Sequence, residues 1–242
     1  MRMRKKKNSV SRLAECSKYL LGKIDSPMDD PSVAMSMNGA KVFLEIGAGK
    51  GGFACKMAER HSDAAYFAME KVTDCVVLAA EKANSGEFGE LNNLKFVIEN
   101  ADNLTSLFGK GTVDCIFLNF SDPWPKKGYA KRRLTHRKYL ALYIYLLKDG
   151  GILRFKTDNV GLFDFSLEEI EAVGLVPEIV TRDLHSSEWN EGNVMTEYEK
   201  NFSEQGMKIN MLVLKKPDGF SLELPTDLTD KKHYWCEEKN EV

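Results

Sequence analysis

Residues 41–52 read KVFLEIGAGKGG. Lys41–Ile46 is a short run of apolar, β-branched and aromatic side chains, the pattern of a buried strand. Gly47, Gly49, Gly51 and Gly52 follow at once, and Phe53–Arg60 then reads as a helix. Strand, glycine turn and helix in that order is where an α/β sheet receives a nucleotide. Glycine turns sharply and lets a ligand approach the backbone, because no Cβ stands in the way. The spacing Gly47-x-Gly49-x-x-Gly52 matches the dinucleotide fingerprint, but Glu45 opposes that ligand. A carboxylate two residues before the first glycine repels a pyrophosphate seated over the turn and attracts a cation. S-adenosylmethionine, with its sulfonium and ammonium, suits the turn better than NAD.

The chain has 242 residues, enough for one domain with extensions and a full core. Its 43% hydrophobic and 29% charged content are those of a soluble globular protein. No apolar run approaches a membrane span, and the basic N-terminus lacks the apolar centre of a signal peptide. The five cysteines are scattered without a C-x-x-C pair, and the four histidines show no metal spacing. The expectation is a cytoplasmic, reduced, metal-free protein. The expected organisation is a basic arm, short helix and linker over 1–39, a catalytic domain over 40–216 and a charged tail over 217–242.

Taken in order, Met1–Lys7 is basic, Ser9–Gly22 reads as a short helix, and Asp25–Gly39 as a linker on the domain edge. Ala64–Met69 is a second strand ending on Glu70. An acid about 20 positions past the glycine turn sits where a ribose hydroxyl pair is gripped. Thr73–Asn84 reads as a helix with Thr73 as N-cap. Leu94–Ile98 is a third strand, followed by Asn100, Ala101 and Asp102, of which Asp102 is also a candidate cap. Val113–Asn119 is a fourth strand, Leu134–Lys148 a helix stopped by Asp149-Gly150-Gly151, and Gly151–Thr157 a fifth strand. A helix over Val160–Val173 and strands over Leu175–Asp183 and Lys208–Leu214 complete the reading.

The second informative stretch follows strand four: Asp122-Pro123-Trp124-Pro125. The prolines fix the backbone around Trp124, and Asp122 lies at the strand end where open α/β sheets place ligands. Lys126, Lys127, Lys131, Arg132, Arg133, Arg137 and Lys138 come next, with no acid before Asp149. A solvated helix face would interleave acids, so this run reads as a footprint for phosphate.

Together, E-I-G-A-G-K-G, N-F-S-D-P-W-P-K-K with K-R-R-L, F-K-T-D-N and T-E-Y-E resemble the bacterial tRNA (guanine-N7-)-methyltransferases, from about Lys41 to Leu214. The resemblance implies a Rossmann-like class I methyltransferase: a mostly parallel seven-stranded sheet with a reversed last strand and helices on both faces. It assigns Glu45, Gly47, Gly49, Glu70, Asn100, Ala101 and Asp122 to S-adenosylmethionine, with Asp122 also catalytic. It places Lys126, Asp158 and the Thr196–Glu199 stretch (Thr196, Glu197, Tyr198, Glu199) on the tRNA side, with Arg132 and Arg133 of the basic run. It implies a guanine in the tRNA variable loop, and a monomer or a homodimer. Gly128-Tyr129 stands where such enzymes are often more basic.

The residues themselves agree with this chemistry. Guanine N7 carries a free lone pair, so positioning supplies most of the acceleration. A carboxylate offsets the charge left on the base, and Asp122 and Asp158 are the candidates. T-x-x-E is equally a capping box. An amino-group methyltransferase acting on adenine or cytosine is the alternative, although Trp124 stands where such enzymes carry a second proline. An NAD oxidoreductase is opposed by Glu45, and a non-catalytic RNA-binding module does not need Glu45 and Glu70.

Overall fold

The computed structural model describes residues 8–225. The basic run Met1–Lys7 and the acidic end of the tail, including Glu237, Glu238 and Glu241, lie outside the described residues. Seven strands form one sheet in the order β3-β2-β1-β4-β5-β7-β6. They are β1 (Lys41–Ile46), β2 (Ala64–Glu70), β3 (Leu94–Ile98), β4 (Val113–Asn119), β5 (Leu147–Thr157), β6 (Ile179–Thr181) and β7 (Asn210–Lys215). β3, β2, β1, β4 and β5 are parallel, and β7 runs antiparallel to both neighbours, β5 and β6. This is the reversed last strand expected from the sequence.

The helices are α1 (Ser9–Glu15), α2 (Gly52–Arg60), α3 (Thr73–Asn84), α4 (Leu104–Leu107), α5 (Arg137–Leu146), α6 (Val160–Ala172) and α7 (Glu197–Ser203). They cover both faces, which is why β1 and β2 read as nearly unbroken apolar runs. Val42, Leu44 and Ile46 face a core closed by Leu140 and Tyr143 of α5 and Phe163 of α6. Tyr66 and Ala68 of β2 face a second core closed by Phe53 and Met57 of α2 and Val76 and Ala80 of α3. Residues Pro31–Met35 form a 3-10 turn beside β1 and β2.

Four local expectations are corrected. The N-terminal helix ends at Glu15 and is held on α3 by the Arg12–Glu81 pair at 2.6 Å. The α3 N-cap is Val72, not Thr73, and the Val72 N–H donates to Glu70 Oε1 at 2.9 Å. The helix read over Leu134–Lys148 is only Arg137–Leu146: Leu147 is already extended and pairs with Val113, and Gly150 takes φ +76° where the strand register shifts. The strand read over Leu175–Asp183 shrinks to Ile179–Thr181, because Pro177 has no N–H to offer a ladder.

Gly51 is the tightest point of the core side of the glycine turn. It has φ +72°, and a Cβ there would lie 2.6 Å from the Cβ of Ala79. Gly51→Ala therefore combines left-handed backbone strain with overpacking, and should cost roughly 2–4 kcal/mol of unfolding free energy. Gly111→Ala has φ +66° but meets nothing within 4 Å, so it should cost only about 1 kcal/mol. Denaturant unfolding of the two variants checks this; equal losses would contradict the packing described.

Candidate active site

The site lies at the carboxyl ends of β1, β2 and β4. After Ile46 the chain folds back through Gly47 (φ +84°), Gly49 (φ +55°) and Gly51, conformations that need glycine. The Gly47 and Ala48 N–H groups donate to the Met69 carbonyl at 2.8 and 3.0 Å, pinning the turn to β2. The Gly49 N–H donates to Glu70 Oε2 at 3.1 Å. Glu70 thus orders both the turn and the start of α3. A Cβ at Gly47 or Gly49 would meet nothing within 4 Å, so the outer side of the turn is open.

Glu45 sits beneath this turn, 2% exposed. Its Oε1 accepts from Asn119 Nδ2 at 3.0 Å. Its Oε2 is buried without a hydrogen-bond partner, and the Tyr66 hydroxyl beside it is also without a well-formed bond. Burial pushes the Glu45 carboxyl up to about 7, against the Asn119 bond, the Lys156 charge and the nearby Tyr66 hydroxyl, which pull it down. A buried acceptor left open under an accessible turn fits a cationic ligand group.

Glu45, Gly47 and Gly49 line a cleft of about 340 Å³, together with Asn119, Phe120, Thr196, Glu197, Tyr198 and Asn201. The far wall is the first turn of α7. Thr196 and Glu199 form a capping box. Glu197 pairs with Lys82 of α3. Tyr198 packs on Phe120 at 5.0 Å and stacks on Phe202 at 4.2 Å. Phe120 holds φ +51°, a strained value for a bulky residue, and its N–H donates to the Lys156 carbonyl at 2.9 Å. A larger cavity of about 640 Å³ runs along one face of the sheet, from Lys41, Asp114 and Lys148 at the amino ends up to Arg154 and Lys156, between α2 and residues 191–194. It does not include Glu45 or the glycine turn.

The remaining sequence candidates do not line the cleft. Asn100 and Ala101 follow β3, and Asn100 caps the next 3-10 turn by accepting from the Asp102 N–H. Asn100, not Asp102, is therefore the cap; the Asp102 carboxylate pairs with Lys138. Asp122 lies two residues past the wall residue Phe120, exposed, on the loop leaving β4. Asp158 is half-buried at the end of β5, and its charge, after burial, raises the neighbouring Tyr198 hydroxyl.

The basic run is less open than its sequence suggests. Arg137 is clamped by Glu169 of α6 at 2.8 and 3.0 Å, and Lys138 by Asp102 at 3.1 Å. Arg133 donates to the Pro123 and Trp124 carbonyls and lies over the Phe165 ring, so it shapes the loop. Arg132 stands between the Trp124 and Tyr129 rings, at 5.0 and 4.7 Å. Lys126, Lys127 and Lys131 are exposed and form no ion pair among the described residues. The absence of acids within the run misled: its acids come from α6 and from the end of β3.

Sequence reasoning also missed Asn119, Phe120, Lys156 and Lys82. Lys156 carried a signal: it lies between Phe155 and Thr157 near the end of a central strand, where a charge is buried and requires a partner. Among the described residues no cluster of His, Cys, Asp and Glu is arranged to hold a metal, and no helix is long and apolar enough to cross a membrane.

Residues 39–212 match the family described as "Putative methyltransferase". A tRNA (guanine-N(7)-)-methyltransferase of Bacillus cytotoxicus is 40% identical over 209 residues, covering 86% of this chain and 94% of its own. Among solved structures, the 16S rRNA methyltransferase KamB aligns with TM-score 0.59 at 11% identity, over 82% of this chain and 98% of its own. The 16S rRNA (adenine(1408)-N(1))-methyltransferase from Catenulisporales acidiphilia aligns with TM-score 0.55 at 15% identity, over 84% and 98%. The structural likeness carries the fold, a class I Rossmann-like methyltransferase, and the sequence likeness carries the family. The chain belongs to the tRNA (guanine-N7-)-methyltransferase family.

Proposed function

We infer that the protein methylates N7 of a guanine in tRNA, with S-adenosylmethionine as donor. The observation that carries the donor reading is the open, buried Glu45 oxygen beneath the glycine turn. The 40% identical relative supports guanine N7 and tRNA as acceptor. When bound, the cofactor supplies an electrophilic methyl group on a sulfonium.

Glu45 answers the positive charge of the donor's amino-acid end, and Gly47 and Gly49 leave room for it. Each Glu70 oxygen already accepts one backbone N–H, and each keeps acceptor capacity for a ribose hydroxyl. Asn100 and Ala101, at the end of the third parallel strand, bound the adenine end. N7 needs no deprotonation, so no general base is required. Asp122 accepts hydrogen bonds from guanine N1–H and its amino group, and its charge offsets the positive charge that develops on the ring. Asp158 and Tyr198 hold the base from the α7 side, with Tyr198 and Phe120 offering an aromatic surface for stacking. Lys126, Lys127, Lys131 and Arg132 take the phosphates. The target guanine lies in the variable loop, the enzyme works in the cytoplasm on tRNA as a monomer or a homodimer, and it requires no metal.

Methylation of bulk tRNA, with the product mapped by nuclease digestion and mass spectrometry, should place the methyl on guanine N7. Under single turnover with saturating donor and tRNA, Asp122→Asn should slow the reaction by about 10²-fold, with tRNA affinity retained. A methyl on an exocyclic amino group, or a near-normal Asp122→Asn rate, would overturn the assignment.

The phosphate contacts have their own signature. Replacing Lys126, Lys127 or Lys131 by Gln should each lower the slope of log affinity against log salt by about 1. Arg137→Gln should leave that slope unchanged, because Glu169 already holds the guanidinium. Equal slope changes for Arg137 and the lysines would mean that the whole run faces RNA.

A further inference from the structure

The acceptor-side stretch Thr196–Glu199 contains one residue that cannot reach a substrate. Glu199 is 0% exposed. Its Oε1 accepts from Asn193 Nδ2 at 2.8 Å and meets His185 Nε2 at 2.9 Å. Its Oε2 takes the Lys156 ammonium at 2.6 Å and the Thr196 N–H at 3.4 Å. The carboxylate has no acceptor site left to offer.

Lys156 is equally committed. It is 2% exposed, and its three protons go to Glu199, the Asn193 side-chain oxygen at 3.1 Å and the Val194 carbonyl at 3.0 Å. Burial lowers the lysine against the pull of Glu199, and the Glu199 carboxyl, despite its burial, is held below its ordinary range by Lys156, His185 and Asn193. A capping box explains the Thr196 bonds to Glu199 but does not call for a buried lysine. An apolar pair in the same space is commonly as stable as a buried ion pair, so fold stability alone gives no reason for it.

What the pair does is geometric. The Lys156 carbonyl fixes Phe120 on one wall of the cleft, and its ammonium fixes α7, the other wall. The two walls meet in the Phe120–Tyr198 contact. Glu197 ties the same helix turn to Lys82, and a Cβ on Gly52 would strike Glu197 at 2.8 Å. The first turn of α7 is therefore anchored from both sides at one spacing from the glycine turn.

We propose that Lys156 is a positioning residue, acting through Glu199 to set the width of the donor cleft, and that Glu199 makes no contact with tRNA. The proposal rests on reading the cleft as the S-adenosylmethionine site. Lys156→Met, Glu199→Gln and the double variant test it, the double leaving no unpaired buried charge. The readouts are S-adenosylmethionine affinity by calorimetry, the donor-induced shift of thermal unfolding, and tRNA affinity without donor. Each variant should bind donor about 10-fold more weakly and show a smaller donor-induced shift. The double should be no worse than the weaker single, and tRNA affinity should stay within about 2-fold. Lowered melting of the free protein with an unchanged donor-induced shift would overturn the proposal in favour of a purely structural pair. So would loss of tRNA affinity in Glu199→Gln but not in Lys156→Met, the result of a direct tRNA contact. If the unaltered protein binds no donor, the reading of the cleft falls, and the proposal with it.

Discussion

A carboxylate buried under a glycine turn is the constraint around which this molecule is arranged. Glu45 is on a central strand, shielded by its neighbours, with one oxygen bonded to Asn119 and the other buried beside the Tyr66 hydroxyl without a well-formed bond. A carboxyl raised from 4.5 to about 7 carries a cost on the order of 3 kcal/mol when ionised. The sign follows from linkage: this group's contribution to the ligand-free fold is full below about pH 4.5 and is lost as pH rises through about 7. On the reading proposed above, a cation seated in the cleft would offset that cost. The outer side of the glycine turn is open, and Glu70 holds the turn in place through Gly49.

The opposite wall comes from far along the chain. The first turn of α7 is tied to α3 and β5 by two ion pairs, Glu197 with Lys82 and Glu199 with Lys156. Strand β5 is thus more than a member of the sheet, because Lys156 links Phe120, α7 and the field around Glu45. Asp122 stands just outside, exposed on the loop leaving β4. The two sides differ physically: the cleft beneath the glycine turn holds a buried carboxylate, and the loop beyond it carries the exposed Lys126, Lys127 and Lys131.

The sheet was legible in the sequence because its strands are apolar runs bounded by glycine and polar turns. Residues β1 to β4 followed their patterns to within a residue. The boundary between α5 and β5 was not legible, since Leu147 and Lys148 continue the helical pattern and only pairing with β4 makes them extended. The site was half legible. Glu45, the glycines and Glu70 announce themselves by spacing along one chain segment. The partners of Lys156, Arg137 and Lys138 do not, because they are supplied 43, 32 and 36 residues away. A basic run with no local acid looked free, and three of its charges are spent within the protein.

The most direct test of this account is the proton count on donor binding. At about pH 6 Glu45 is mostly protonated in the free protein, and a bound cation favours its ionised form. Calorimetric titration with S-adenosylmethionine in buffers of different ionisation enthalpy should then show nearly one proton released per ligand. Glu45→Gln should abolish that release and weaken binding. Binding of full strength with no proton released, or the same release from Glu45→Gln, would contradict the central role of the buried carboxylate.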